Sequence, residues 1–219
     1  MQESPSSPTR GLRDRILGAA FAAFLEKGYS GVSTREIAAR AKISKRDLYA
    51  LFEDKKAMLA ACIEARAQKM RRPLELPTAP DGESLPLILR GYGAAFLRHL
   101  SSPEVVALYR LAVLEAQRSP EVAHALNELG RESNRTALAD FLKRAQGAGL
   151  LGPGEPLAMA SQFLSLLWGD LMLRLLLGVA RSPKAAEVEE RARAATEAVL
   201  ALHAQDSGKA PMPSGSGRR

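Results

Sequence analysis

Cysteine occurs once in these 219 residues and histidine three times. A lone Cys62 excludes an intramolecular disulfide and fits a reducing compartment; it reads as a buried helix residue rather than a redox sensor. His99, His124 and His203 are scattered, without metal-ligand spacing or a partner nucleophile. No metal centre and no cofactor is therefore expected, and the chain does not read as an enzyme. Two-residue apolar alternation is almost missing, which excludes a substantial sheet. The opening residues, MQESPSSPTR, hold no apolar stretch of the secretory-signal type. A cytoplasmic location is expected.

One apolar run is long. Residues 163–180, FLSLLWGDLMLRLLLGVA, are enough to span a bilayer. Asp170 and Arg174 stand in their middle, and each would cost roughly 2.5–3.5 kcal/mol at a bilayer centre. Four apart on a helix they can pair with each other. A core or interface helix is expected, with no membrane association.

The net charge of +7 is unevenly distributed. Residues 10–56 carry eleven Lys and Arg against six Asp and Glu, a net of +5; residues 57–204 carry 17 against 16. The asymmetry implies a basic first module facing a polyanion and a neutral second module with another task.

What recurs is a period of 3.6. It predicts an all-α chain of about nine helices, at 11–27, 34–41, 45–51, 55–72, 84–100, 103–117, 120–147, 155–178 and 183–204. Ser102-Pro103, Ser119-Pro120 and Ser182-Pro183 each place a capping hydroxyl before a proline at the first helical position. The Pro-rich stretch 73–83 reads as a loop, and the Ser/Pro/Gly-rich ends, 1–9 and 205–219, as disordered tails. Residues 147–152, GAGLLG, fit a dinucleotide-binding spacing formally, but a helix precedes them and Pro153-Gly154 follows. A helix stop is expected there.

Residues 33–56, STREIAARAKISKRDLYALFEDKK, carry the functional signal. Ser33 with Glu36 and Ser44 with Asp47 are two capping-box pairs, opening short helices separated by Lys42-Ile43-Ser44. Ile37, Ala38, Ala41, Leu48, Leu51 and Phe52 face inward. Two short helices joined this way have helix-turn-helix geometry. Thr34, Arg35, Ser44, Lys45, Arg46 and Tyr49 fall on outward faces or helix starts. Arg46 or Lys45 would reach guanine edges in the major groove, and Thr34 and Tyr49 would bond phosphates. Asp54 would cap the next helix and leave Lys55 aimed at a phosphate.

Residues 13–66 resemble the N-terminal domain of the TetR family of regulators. The resemblance rests on Gly28-Tyr29, Thr34, Ile37, Ala38, Ala41, Ile43, Ser44, Lys45, Leu48, Tyr49, Phe52 and Lys55. It implies a recognition helix opened by Ser44 and phosphate contacts by Tyr49 and Lys55. Three positions depart from the family pattern. Lys42 stands where glycine, and hence positive φ, is usual, Leu51 replaces an aromatic residue or histidine, and Asp47 replaces Thr or Ser. Asp47 is either the capping partner or an acceptor from a cytosine amino group.

The second module resembles the AefR-like C-terminal domains over residues 104–122 and 162–178. Val188, Ala192, Ala195, Val199 and Leu202 form a seam at alternating spacings of four and three. With Leu164, Leu171 and Leu175 they are expected to line a homodimer interface, as the last two helices do in TetR-like proteins; packing within one subunit is the alternative. Tyr92, Phe96, Tyr109, Phe141, Phe163 and Trp168 are the aromatic candidates for a pocket taking a small lipophilic or aromatic effector. The domain expectation is a DNA-binding module at 10–56 and a sensing and dimerisation module at 57–204. The function expected is that of a ligand-released repressor on a pseudo-palindromic double-stranded DNA operator. The rival readings are a sequence-neutral DNA-packaging protein and an enzyme.

Overall fold

A computed structural model describes residues 8–71, 74 and 82–204. Every regular element among them is helical. The order is α1 (Pro8–Lys27), α2 (Thr34–Ala41), α3 (Lys45–Leu51), α4 (Lys55–Arg71), α5 (Ser84–Leu100), α6 (Pro103–Glu115), α7 (Pro120–Ala125), α8 (Ser133–Gly147), α9 (Pro156–Trp168), α10 (Leu171–Leu176) and α11 (Ala185–Leu202). The all-α expectation holds. Helix α1 takes in residues 8 and 9, assigned above to a tail; the other expected tail residues, and all but 74, 82 and 83 of the expected loop, lie outside the described residues.

Helix starts follow the local signal only where no distant partner competes. Ser102 caps α6, its hydroxyl accepting from the Val105 N–H at 3.4 Å. Ser119 and Ser182 do not cap. The Ser119 hydroxyl lies 2.9 Å from that of Ser30, and the Ser182 hydroxyl donates to the Ser101 carbonyl at 2.6 Å. Helix α11 therefore begins two residues later than Pro183, at Ala185, and the Lys184 N–H is taken by the Glu187 carboxylate at 2.9 Å.

The two long helices expected at 120–147 and 155–178 are both interrupted. A π-helical segment, Leu126–Glu132, joins α7 to α8 without a break. The side-chain amide of Asn134 donates to the Gly130 carbonyl at 2.6 Å, serving an acceptor within the widened turn. Gly169 ends α9 at φ 50 and ψ −126, a conformation that side chains resist, so α10 starts afresh after Asp170. Asp170 and Arg174 do form the expected pair, at 3.9 Å on an exposed surface. No described helix is long and apolar enough to cross a membrane.

Two apolar cores result. Phe21, Phe24, Ile37, Leu48, Phe52 and Met58 centre the first, which α6 and α7 complete with Leu108, Leu111, Ala112 and Val122. Leu89, Tyr92, Phe141, Phe163, Leu167 and Val199 centre the second. Helix α4 serves both, giving Met58, Leu59, Cys62 and Ile63 to one and Ala67 to the other. Gly93 lets α5 lie against α9 and α11. A Cβ there would meet Phe163, Ala192 and Leu167 at 3.2–3.3 Å.

This packing corrects the expected dimer seam. Val188, Ala192, Ala195 and Val199 are 0–2 % exposed, sealed into the second core against their own subunit. Leu171 and Leu175 are buried too, and Leu164 is partly buried against the same core. The four-three spacing marks a real helix contact, but inside one subunit. Of the residues named for the interface, only Leu202 is exposed. The apolar side chains that α9, α10 and the following turn leave in solvent are Leu157, Leu166, Leu173, Leu177 and Val179.

Candidate nucleic-acid interface and internal cavity

Each short helix of the 33–56 segment is held at its start by a serine. Ser33 accepts from the Glu36 N–H at 3.2 Å, and Ser44 from the Asp47 N–H at 3.1 Å. Neither pair closes as a reciprocal box. The Glu36 carboxylate turns instead to Lys27 at 2.7 Å and Arg40 at 3.1 Å, and Arg40 also reaches Glu26, tying α2 to α1. These cations hold the Glu36 carboxyl below its usual range. The Asp47 carboxylate accepts from the Ser44 hydroxyl at 2.7 Å, which holds it at the start of α3. Lys42, between the helices, sits at φ 53 and ψ 52. The sequence places a lysine where the backbone asks for glycine, at a cost of about 1 kcal/mol.

Arg35, Ser44, Lys45, Arg46 and Tyr49 are exposed. Thr34 and Tyr49, from different helices, meet with their oxygens 3.0 Å apart. The two hydroxyls assigned to phosphate thus converge, beside a helix start bearing Lys45 and Arg46. Asp54 caps α4 as expected, accepting from the Ala57 N–H at 2.6 Å. Lys55 is placed differently. Its ammonium donates to the carbonyls of Tyr29 at 2.8 Å and Val32 at 3.1 Å and lies 4.3 Å from the centre of the Tyr29 ring. Lys55 is half-buried and clamps the α1–α2 loop, with two of its three donors spent on the protein itself.

The second half holds a half-open cavity of about 420 Å³, walled by α4, α5, α6, the π segment, α8, α9 and α10. Of the six aromatic candidates, Phe96, Tyr109 and Trp168 line it, with Phe96 and Trp168 edge to face at 5.5 Å. Tyr92, Phe141 and Phe163 do not; all three are 0 % exposed and belong to the core behind it.

Residues 16–62 match the family described as bacterial regulatory proteins, tetR family, and residues 88–205 match the AefR-like transcriptional repressor C-terminal domain. This chain belongs to the TetR family of transcriptional regulators. Among solved structures it is similar to the flavonoid-responsive regulator FrrA, at 32 % identity and a TM-score of 0.71 over 90 % of this chain and 99 % of that one. A TetR transcriptional regulator from Agrobacterium tumefaciens is 26 % identical, with a TM-score of 0.74, over 91 % of this chain and 96 % of that one. The HTH-type transcriptional regulator YvkB of Bacillus subtilis is 26 % identical over 75 % of this chain and 83 % of its own length. The helix-turn-helix is the DNA-binding domain of such regulators.

Two charged residues of this TetR-family chain were passed over in sequence, and both interrupt apolar stripes. Arg66 follows Leu59, Cys62 and Ile63 on the buried face of α4; Glu115 follows Leu108, Leu111 and Ala112 on that of α6. A charge on a buried stripe is the signal that finds them. Arg66 lines the cavity. Glu115 is buried and accepts from the Ser30 hydroxyl at 2.8 Å and the Ser30 N–H at 3.3 Å. The Ser30 hydroxyl above all keeps the Glu115 carboxyl below its usual range. The end of α6 is thereby fastened to the loop that Lys55 clamps. Cys62 is buried, donates to the Leu17 carbonyl at 3.4 Å, and has its thiol pushed up to about 12 by burial, so it is not a ready thiolate.

Proposed function

We propose that this TetR-family regulator is a ligand-released repressor that binds a pseudo-palindromic operator as a homodimer in the cytoplasm. Residues 10–56 are the DNA-binding module and 57–204 the sensing and dimerisation module. The observation that carries this reading is the joining of two sites through shared helices. The exposed basic start of α3 lies in one half and the half-open cavity in the other, and α4 and α6 take part in both halves. Arg46 and Lys45 read guanine edges; Arg35, Thr34 and Tyr49 bond phosphates; Ser44 sets the start of the recognition helix. Lys55 acts through the loop it holds.

The dimer is assigned to Leu166, Leu173, Leu177 and Leu202, apolar side chains that a single chain leaves 49–67 % exposed. Such a dimer sets two recognition helices about 34–36 Å apart, one turn of DNA. An effector between Phe96, Tyr109 and Trp168 favours a different spacing, a coupling of about 1–3 kcal/mol. The flavonoid response in the name of FrrA supports an aromatic effector.

Selecting binding sites from random duplex DNA tests the reading. A two-fold symmetric motif with half-sites one turn apart is expected, together with release from that motif by a cavity ligand. Retained binding at low salt with no enriched sequence would point to DNA packaging instead and remove the role given to Arg46.

A further inference from the structure

The cavity wall has an unbalanced charge. Among the described residues Arg66, Arg131 and Arg135 all line it, and no Asp or Glu does. Arg131 and Arg135 share Glu132, which lies outside the lining. Arg66 takes part in none of the ion pairs among the described residues. Its guanidinium stacks 3.4 Å from the centre of the Phe21 ring and donates once, to the Cys62 carbonyl at 2.9 Å. Burial is the main influence on it and opposes its charge; Glu104 is the carboxylate whose field reaches it.

A guanidinium offers five donors in a planar fork, and a partly buried cation such as Arg66 without a counter-charge loses solvation that a bound anion would offset. Besides His99, the remaining wall is apolar or uncharged, with Ile63, Phe96, Leu108 and Trp168 and the Ser161 and Ser165 hydroxyls. A neutral lipophile would fill this space and leave the cation uncompensated. A carboxylate would meet the fork in a bidentate pair strengthened by the apolar surroundings.

We infer that the effector is an amphipathic organic anion, an apolar body bearing one carboxylate, and that Arg66 binds the charge. This rests on the reading of the cavity as the effector site and narrows it. An aromatic acid and an aliphatic one share this chemistry, and the choice of body in the test separates them. Arg66 also stands at the join of the two modules. The ring beneath its guanidinium, Phe21, is in the core of the helix-turn-helix. An anion that draws the guanidinium into the cavity acts directly on that contact.

The test uses matched acid and methyl-ester pairs of three bodies: decanoate, 2-naphthoate and biphenyl-4-carboxylate. Trp168 is the only tryptophan in the chain and lines the cavity, so its fluorescence reports occupancy in the full-length protein. For at least one body the acid is expected to bind tenfold or more tightly than its ester. Arg66→Met should bring that ratio to threefold or less with ester binding unchanged, and Arg66→Lys should restore part of it. Equal binding of acid and ester by the wild-type protein would overturn the anion assignment and leave the effector cavity standing. No response of Trp168 or of the melting temperature to any of the six compounds would remove the cavity reading and the inference with it. A preference that persists in folded Arg66→Met would overturn the assignment of Arg66. The wild-type ratio needs no variant, so the anion assignment is decided even if Arg66→Met does not fold.

Discussion

The surface between Thr34 and Lys55 and the cavity walled from Ile63 to Met172 are assembled in opposite ways. The surface is a run of short capped helices whose polar side chains bond to one another or to a nearby loop. Ser44 is joined to Asp47, Thr34 to Tyr49, and Lys55 to Tyr29. The cavity draws its wall from six helices and the π segment, and it exists because those elements do not close fully on one another. Local hydrogen bonds keep the first in shape. The second depends on the packing of everything around it. The elements that belong to both are α4, through Arg66 and Phe21, and α6, through Glu115 and Ser30.

The contrast breaks most visibly in the second core. Phe163→Ala should cost about 3–5 kcal/mol of unfolding free energy in a denaturant titration, because Phe163 is a fully buried core residue and not a cavity wall. Trp168→Phe, on the wall, should cost far less in the same titration. A small loss at Phe163 would return it to the pocket.

Glu115→Gln probes the link between the halves. It removes a charged acceptor from two donors of Ser30 and should cost about 1.5–3 kcal/mol at neutral pH. Because the folded carboxyl titrates below its ordinary value of 4.5, its contribution is complete above that pH and is lost as pH falls through the lower folded value. The stability gap between wild type and variant should thus close on acidification from pH 7 towards 3. A gap constant across that range would show that the charge is not what matters.

On the DNA side, Arg46→Ala should cost about 1–3 kcal/mol on the selected operator and relax the base preference at one position per half-site. An unchanged selected motif would move the reading role to Lys45. The smallest effect is expected at Lys42. Lys42→Gly relieves the left-handed backbone at φ 53 and should stabilise the protein by about 0.5–1 kcal/mol with its operator unchanged. A destabilised glycine variant would mean that the lysine side chain compensates for its own strain.

Much of the first module was legible because its determinants are local. The boundaries of α2 and α3 fall where Ser33, Ser44 and the intervening break place them, and the backbone at Lys42 adopts the positive φ that the resemblance implied. Lys55 is the exception. Its half-buried place against the Tyr29 carbonyl depends on a loop 26 residues earlier in the chain, which no spacing rule reaches.

By itself, the sequence determined the helical class, the capped pair of short helices and their basic outward face. Each follows from periodicity, capping chemistry or composition within a few turns of chain. Tertiary structure alone decided which face of α11 is inward, which aromatics are core and which are wall, and where Ser119, Ser182 and Glu115 spend their hydrogen bonds. The physical reason is competition. An amphipathic stripe says that a face will be buried but not by what, and a hydroxyl or carboxylate goes to whichever partner the fold brings within reach.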